Sequence, residues 1–235
     1  MIVLLFLRSL AFEVGRWFIM LVVAVIAQFL WPFSYKTRFA VLRYWGIVNL
    51  WWLKVTCGLT WRVHGVEQVD MNQPGLILSH HESAWETIAL QSIFPRQSFV
   101  LKRELLKIPF FGWTLGMLKP IAIDRSAGTT ALKQILEQGY ERIHHDQDWV
   151  TLFPEGTRVK PGTVGKINRG GAMLAKHVNA PVYLVHHNAG QFWPKNSFIR
   201  KPGVIDVWIS PPLDVKNMTI EQINQAIKNW FEQVH

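Results

Sequence analysis

An α/β fold with a mixed, largely parallel sheet flanked by helices, preceded by an N-terminal membrane-associated helical segment, is what the sequence predicts. Three observations predict it. Short apolar runs alternate with amphipathic segments after Cys57, the pattern of strands and helices taken in turn. The 235 residues are enough chain for one domain with a substantial core. Composition is 49% hydrophobic and only 17% charged, against about 25% charged in an ordinary soluble domain, which excludes a disordered chain.

The N-terminal segment is set apart by charge and tryptophan. The 25 Lys and Arg exceed the 16 Asp and Glu, a net +9. Residues 1–60 hold a local balance of +5, from Arg8, Arg16, Lys36, Arg38, Arg43 and Lys54 against Glu13 alone. Trp17, Trp31, Trp45, Trp51, Trp52 and Trp61 are half of the 12 tryptophans. Indole and positive charge flanking apolar runs suit a membrane–water interface. None of the expected nucleic-acid recognition motifs is present, so the membrane reading is preferred and a nucleic-acid binder is a distant third. No charge lies between Trp17 and Tyr35. As a helix this run is about 28 Å long, against about 30 Å of hydrocarbon, and Pro32 ends or kinks it. A second apolar stretch, Trp45 to Leu59, is interrupted by Asn49 and Lys54 and reads as interfacial. One short transmembrane helix and a helical pair sunk in a single leaflet both fit. A cleaved signal peptide does not, since Glu13 interrupts it and no A-x-A site follows. Residues 1–58 are read as membrane-anchoring helices and 59–235 as the α/β domain.

Strands are expected at Trp61–Val69, at Leu76–Ser79 after a Pro74-Gly75 turn, and at Ser98–Leu101, Pro120–Ile123, Val150–Phe153, Val182–Val185 and Val204–Ile209. Helices are expected from Ser83 to about Phe94, at Thr129–His144 with Leu132, Ile135, Leu136 and Tyr140 on one face, at Gly170–Val178, and at Ile220–Val234. The single cysteine, Cys57, excludes an intrachain disulfide and a multi-cysteine metal site.

The densest polar cluster, Ser79-His80-His81-Glu82-Ser83-Ala84-Trp85-Glu86, follows an apolar strand. With a helix starting near Ser83, His81 lies in the loop and folds back towards Glu86 in the first turn. A carboxylate there holds an imidazole proton and stabilises the imidazolium that a general base becomes. His80 has Trp85 at the matching offset, so His81 is the candidate base. Ser83-x-x-Glu86 is equally a capping box, with Glu86 returning to the Ser83 N–H. H-E-x-x-H, G-x-S-x-G and the P-loop are all missing. The pairs His144-His145 and His186-His187 read as surface or core histidines, and no metal site is assigned. Phe153-Pro154-Glu155-Gly156-Thr157-Arg158 offers a tight turn and an arginine fork matched to phosphate oxygens, and Lys102 and Arg103 add cations after another strand.

The order of these blocks resembles the glycerolipid acyltransferase family, especially its bacterial 1-acylglycerol-3-phosphate acyltransferases. His81-x-Ser83-x-x-Glu86 resembles the family's H-x-x-x-x-D block. Lys102-x-Glu104-Leu105 with Pro109 and Gly112 resembles the second block, Phe153–Arg158 the third, and Ala180-Pro181-Val182 the fourth. The likeness runs from about Pro74 to Gly190. Two positions depart from the pattern: Glu86 stands where Asp is usual, and His80 where Asn is usual. An H-x-x-x-x-E form also resembles the lipid A secondary acyltransferases, but the Lys102–Leu105 and Phe153–Arg158 blocks fit the glycerolipid branch better.

The resemblance implies acyl transfer from acyl-CoA or acyl carrier protein to the sn-2 hydroxyl of lysophosphatidate, forming phosphatidate in phospholipid biosynthesis. His81 is then the base and Glu86 its orienting acid. Lys102 and Arg158 hold the substrate phosphate with Arg103 and Arg125 beside them, and Glu155, Gly156 and Thr157 shape that pocket. No metal or tightly bound cofactor is implied. Membrane phospholipids are the surroundings, at the cytoplasmic face of a bacterial inner membrane. The alternatives are another lysolipid or a lipid A precursor as acceptor, or a non-enzymatic membrane lipid-binding protein.

Overall fold

The computed structural model describes residues 2–233. Two long helices, α1 (Ile2–Leu30) and α2 (Tyr35–Cys57), lead into β1 (Leu59–His64) and β2 (Leu76–Ser79). Then come α3 (Trp85–Ile93), β3 (Gln97–Lys102), α4 (Phe111–Gly116), β4 (Ile121–Ile123), α5 (Thr129–His144) and β5 (Trp149–Leu152). The chain ends with α6 (Arg169–Val178), β6 (Val182–His187), the single turn α7 (Ala189–Phe192), β7 (Gly203–Ile209) and α8 (Ile220–Gln233). The expected Val234 lies outside the described residues.

The strands form one sheet in the order β1-β7-β6-β2-β5-β3-β4. Every neighbouring pair is parallel except β6 with β7. Alternation sends successive side chains to opposite faces. Ile77 and Val185 pack on one side with Leu50 and Leu53 of α2 and Trp85 and Ile88 of α3. Leu76, Leu78 and Val150 pack on the other with Ile135, Leu174 and Ile227 of α5, α6 and α8. A sheet buried on both faces needs the near-continuous apolar runs that the strands carry.

The first strand is shorter than its apolar pattern. Gly65 turns the chain at φ 83° and Val66–Gln68 form a single 3₁₀ turn, so β1 stops at His64 instead of running to Val69. Helix α4 lies in the segment where no helix was expected.

Helix α1 begins well before the uncharged run, because its early charges find partners in the chain. Arg8 Nε donates to the Thr56 carbonyl at 2.6 Å, and Glu13 pairs with Arg200 and with Arg16. The Ser9 hydroxyl accepts the Arg200 N–H at 2.9 Å, while Phe12 sits fully buried edge-on to Trp193. Pro32 lies in the turn that ends α1, and Ser34 caps α2, its side chain accepting the Thr37 N–H. Gly58 closes α2 in the left-handed conformation, φ 65°, with its N–H on the Lys54 carbonyl. Glycine adopts that conformation without a Cβ penalty.

This topology gathers the loops that matter. The C-terminal ends of β2, β3, β4, β5 and β6 all point to one edge of the sheet, since each is parallel to its neighbour. In such sheets ligands sit in the crevice beyond the carboxyl ends of the strands.

Candidate active site

His81 and Glu86 meet beyond β2. His81 Nδ1 is 2.7 Å from Glu86 Oε1, and Glu86 is fully buried in the first turn of α3. A carboxylate only accepts, so Nδ1 carries the proton and Nε2 keeps its lone pair. The ring stacks on Phe153 at 4.1 Å between centroids, which fixes its plane. The same Glu86 oxygen accepts the Ser83 N–H at 2.9 Å. One carboxylate therefore serves the capping box and the histidine together. The other half of the box is altered: Ser83 Oγ takes the Trp85 N–H at 3.1 Å and donates to the Trp193 carbonyl at 2.6 Å.

A cavity of about 370 Å³ opens beside His81. Phe153, Gly156, Thr157 and Arg158 of the turn after β5 line it, with Lys102 after β3 and Arg125 after β4. Arg125 also donates to the Gly156 carbonyl, tying two of these loops together. Gly156 supplies φ 70° to the turn. The rest of the lining is largely apolar and includes Met20 and Val23 of α1, Leu42 and Trp45 of α2, and Leu115 and Leu118 at and after α4. Four cations and no carboxylate line this cavity among the described residues. The fourth, Lys195, escaped the sequence reading. It follows α7, outside the recognised blocks, and its Nζ donates to the Arg158 carbonyl at 3.0 Å. Only the fold brings residues 37 apart into that contact.

Two of the expected binding residues stand elsewhere. Arg103 is exposed and reaches Gln134 at 3.4 Å rather than lining the cavity. Glu155 turns inward and is 6% exposed. Its carboxylate accepts the His81 N–H and the Gly165 N–H, both at 2.9 Å, and contacts His80 Nδ1 at 3.0 Å.

His80 is buried between two carboxylates, with Glu82 Oε1 3.2 Å from its Nε2. Burial opposes the cation, but Glu155 and Glu82 outweigh it and push His80 up to about 9. Burial also opposes the Glu82 carboxylate, yet His80 and the N–H groups of Gly162 and Gly190 hold it below its usual range. His187, fully buried in β6, is pushed well below its ordinary value by desolvation and by the neighbouring His80. It is neutral, with Nε2–H donating to the His80 carbonyl at 3.0 Å and Nδ1 accepting the Ala189 N–H.

Comparison with known proteins places these residues in a family context. The acyltransferase family model matches residues 60–188. Over 205 residues the chain is 43% identical to a 1-acyl-sn-glycerol-3-phosphate acyltransferase of Pseudomonas aeruginosa, covering 86% of this chain and 79% of that one. A yeast protein of the same description, from Saccharomyces cerevisiae, is 27% identical over 77% of this chain and 61% of its own length. The crystal structure of the 1-acyl-sn-glycerophosphate acyltransferase PlsC from Thermotoga maritima superposes with a TM-score of 0.77. That match covers 97% of this chain and 92% of that one at 21% identity, a likeness of fold.

Proposed function

The chain belongs to the acyltransferase family, and we propose that it transfers an acyl group from a thioester, acyl-CoA or acyl carrier protein, to the sn-2 hydroxyl of a 1-acylglycerol-3-phosphate. The product is phosphatidate. One observation carries this reading: the His81–Glu86 pair opens on a cavity that has four cations for a phosphate and apolar walls for an acyl chain.

Each group then has a task. His81 Nε2 takes the hydroxyl proton as the oxygen attacks the thioester carbonyl, while Nδ1–H stays on Glu86, whose charge stabilises the imidazolium. The tetrahedral intermediate collapses, the C–S bond breaks, and His81 returns the proton to the departing thiolate. No side-chain nucleophile is needed, and Cys57 is buried in the core at the C-terminal end of α2. Arg158, Lys102, Arg125 and Lys195 hold the phosphate.

Residues 1–58 act in this reading as a membrane anchor for the 59–235 domain. Helix α1 is long and apolar enough to cross a bilayer, and its outer face exposes Trp17, Phe18 and Phe29, continued by Trp31 and by Trp51 of α2. Its first half is held against Arg200 and Thr56 of the same chain, which favours seating in one leaflet over a free span.

The test is phosphatidate formation from lysophosphatidate by detergent-purified protein, offered each donor separately. Product with at least one donor is expected, and Arg158→Ala should raise the lysophosphatidate KM roughly 10- to 100-fold with kcat little changed. No product with either donor overturns the proposal. Glu86→Gln separates the two jobs of that carboxylate. A capping box tolerates Gln, so thermal stability should be preserved while kcat falls by about 10²–10⁴. Unchanged kcat would show that the charge on Glu86 is not used.

A further inference from the structure

The buried triad Glu155–His80–Glu82 lies behind His81, away from the cavity, and the reaction outlined above gives it no task. Its contacts run to three separate loops. Glu155 holds the His81 N–H and the Gly165 N–H. Glu82 holds the N–H of Gly162 at 2.8 Å, in the same loop as Gly165, and the N–H of Gly190 at 2.9 Å, in α7 after β6. The His81 carbonyl accepts the Val159 N–H at 2.8 Å, so the loop after β5 grips His81 at both ends of its backbone. His80 is the only side chain that touches both carboxylates among the described contacts.

We propose that His80 is a positioning residue, the cation that joins Glu155 to Glu82 and so locks the loops after β2, β5 and β6 around His81. The proposal rests on the reading of His81 as the base.

Its physics is that of a buried charge network. Two carboxylates and one imidazole, all away from water, are tolerable only with a proton on the imidazole. The other groups that face His80 come from β6, α8 and its own loop and include no further carboxylate among the described contacts. His186 of β6 stacks on it at 5.0 Å, Phe231 of α8 lies at 5.2 Å, neutral His187 donates to its carbonyl, and His81 follows it in the chain. Loss of the proton leaves Glu155 and Glu82 as like charges with only a neutral imidazole between them, able to donate to one of the two. The Glu155 carboxylate then no longer holds the His81 backbone in register with Glu86.

The experiment is the pH–rate profile of His80→Gln beside wild type, with donor hydrolysis in the absence of acceptor subtracted. A base used in its neutral form shows no loss of rate at alkaline pH. Wild type is nonetheless expected to lose kcat as pH rises through about 9, where His80 gives up its proton. The His80→Gln protein should lack that limb, with kcat lowered tenfold or more across the range and KM within about twofold, the signature of a displaced base. A folded His80→Gln protein with wild-type kcat and the wild-type alkaline limb overturns the proposal. If His80→Gln does not fold, Glu82→Gln takes its place. With one carboxylate neutralised the limb should move to lower pH, and a limb that stays put overturns the proposal equally. His81→Ala, run in parallel, reports on the base itself: activity retained there removes the underlying reading, whatever His80 does.

Discussion

His81→Ala is expected to lower the acyl-transfer rate by about 10²–10⁴, the usual cost of removing a positioned base. The loss should appear in kcat and in kcat/KM alike, because the imidazole gains its charge only as the hydroxyl is activated. Fold should be spared. The His81 ring stacks on Phe153 and bonds Glu86, while the contacts that hold the loop run through the His81 backbone, from its N–H to Glu155 and from Val159 to its carbonyl. An alanine keeps both backbone bonds. Glu86 also keeps the Ser83 N–H. A variant that melts like wild type and has lost at least a hundredfold in rate is the expected outcome. One that keeps more than about a tenth of the rate would mean that another group activates the hydroxyl.

The distance between partners along the chain explains what could be read in advance. His81 and Glu86 are five residues apart at a loop–helix junction, so local geometry alone brings them together. Strand β2 and helix α5 have the limits expected of them, since an apolar run after Pro74-Gly75 and a 16-residue amphipathic period are local signals. Arg8 and Glu13 are the first charged side chains in the apolar N-terminal segment. They lie within α1 because Thr56 and Arg200, 48 and 187 residues away, receive them. Glu155, next to Gly156 in the block that ends at Arg158, reads from the sequence as part of the phosphate pocket. The turn sends it inward instead, to His80 and His81, 75 and 74 residues earlier. His80 has Trp85 five residues on, which offers it no carboxylate. Its partners are Glu82 and the distant Glu155, at offsets no helical spacing foretells.

Glu155→Ala should be the most destabilising single change in the site, at about 3–5 kcal/mol, the range for removing one partner of a buried ion pair. The variant leaves the N–H groups of His81 and Gly165 without their acceptor and His80 with Glu82 alone. The dependence on pH distinguishes this mechanism from simple cavity formation. His80 is raised from 6.5 to about 9 in the folded chain. Its contribution is thus fully present below about 6.5 and lost as pH rises through about 9. A rise of that size corresponds to roughly 3 kcal/mol. Glu82 is depressed, so its contribution is present above 4.5 and lost as pH falls through its lowered folded value. Neutral His187 counts against stability as pH falls below about 6.5, so wild type should be most stable near pH 6.5 and weaken steadily from there to about 9. Without Glu155 the His80 proton is held less tightly, so the alkaline decline of Glu155→Ala should be shallower and begin from a lower plateau. Thermal unfolding of both proteins in detergent between pH 5 and 10 measures plateau and slope together. Parallel curves would assign the loss to packing alone, whereas converging curves at high pH would assign it to the charge that Glu155 shares with His80.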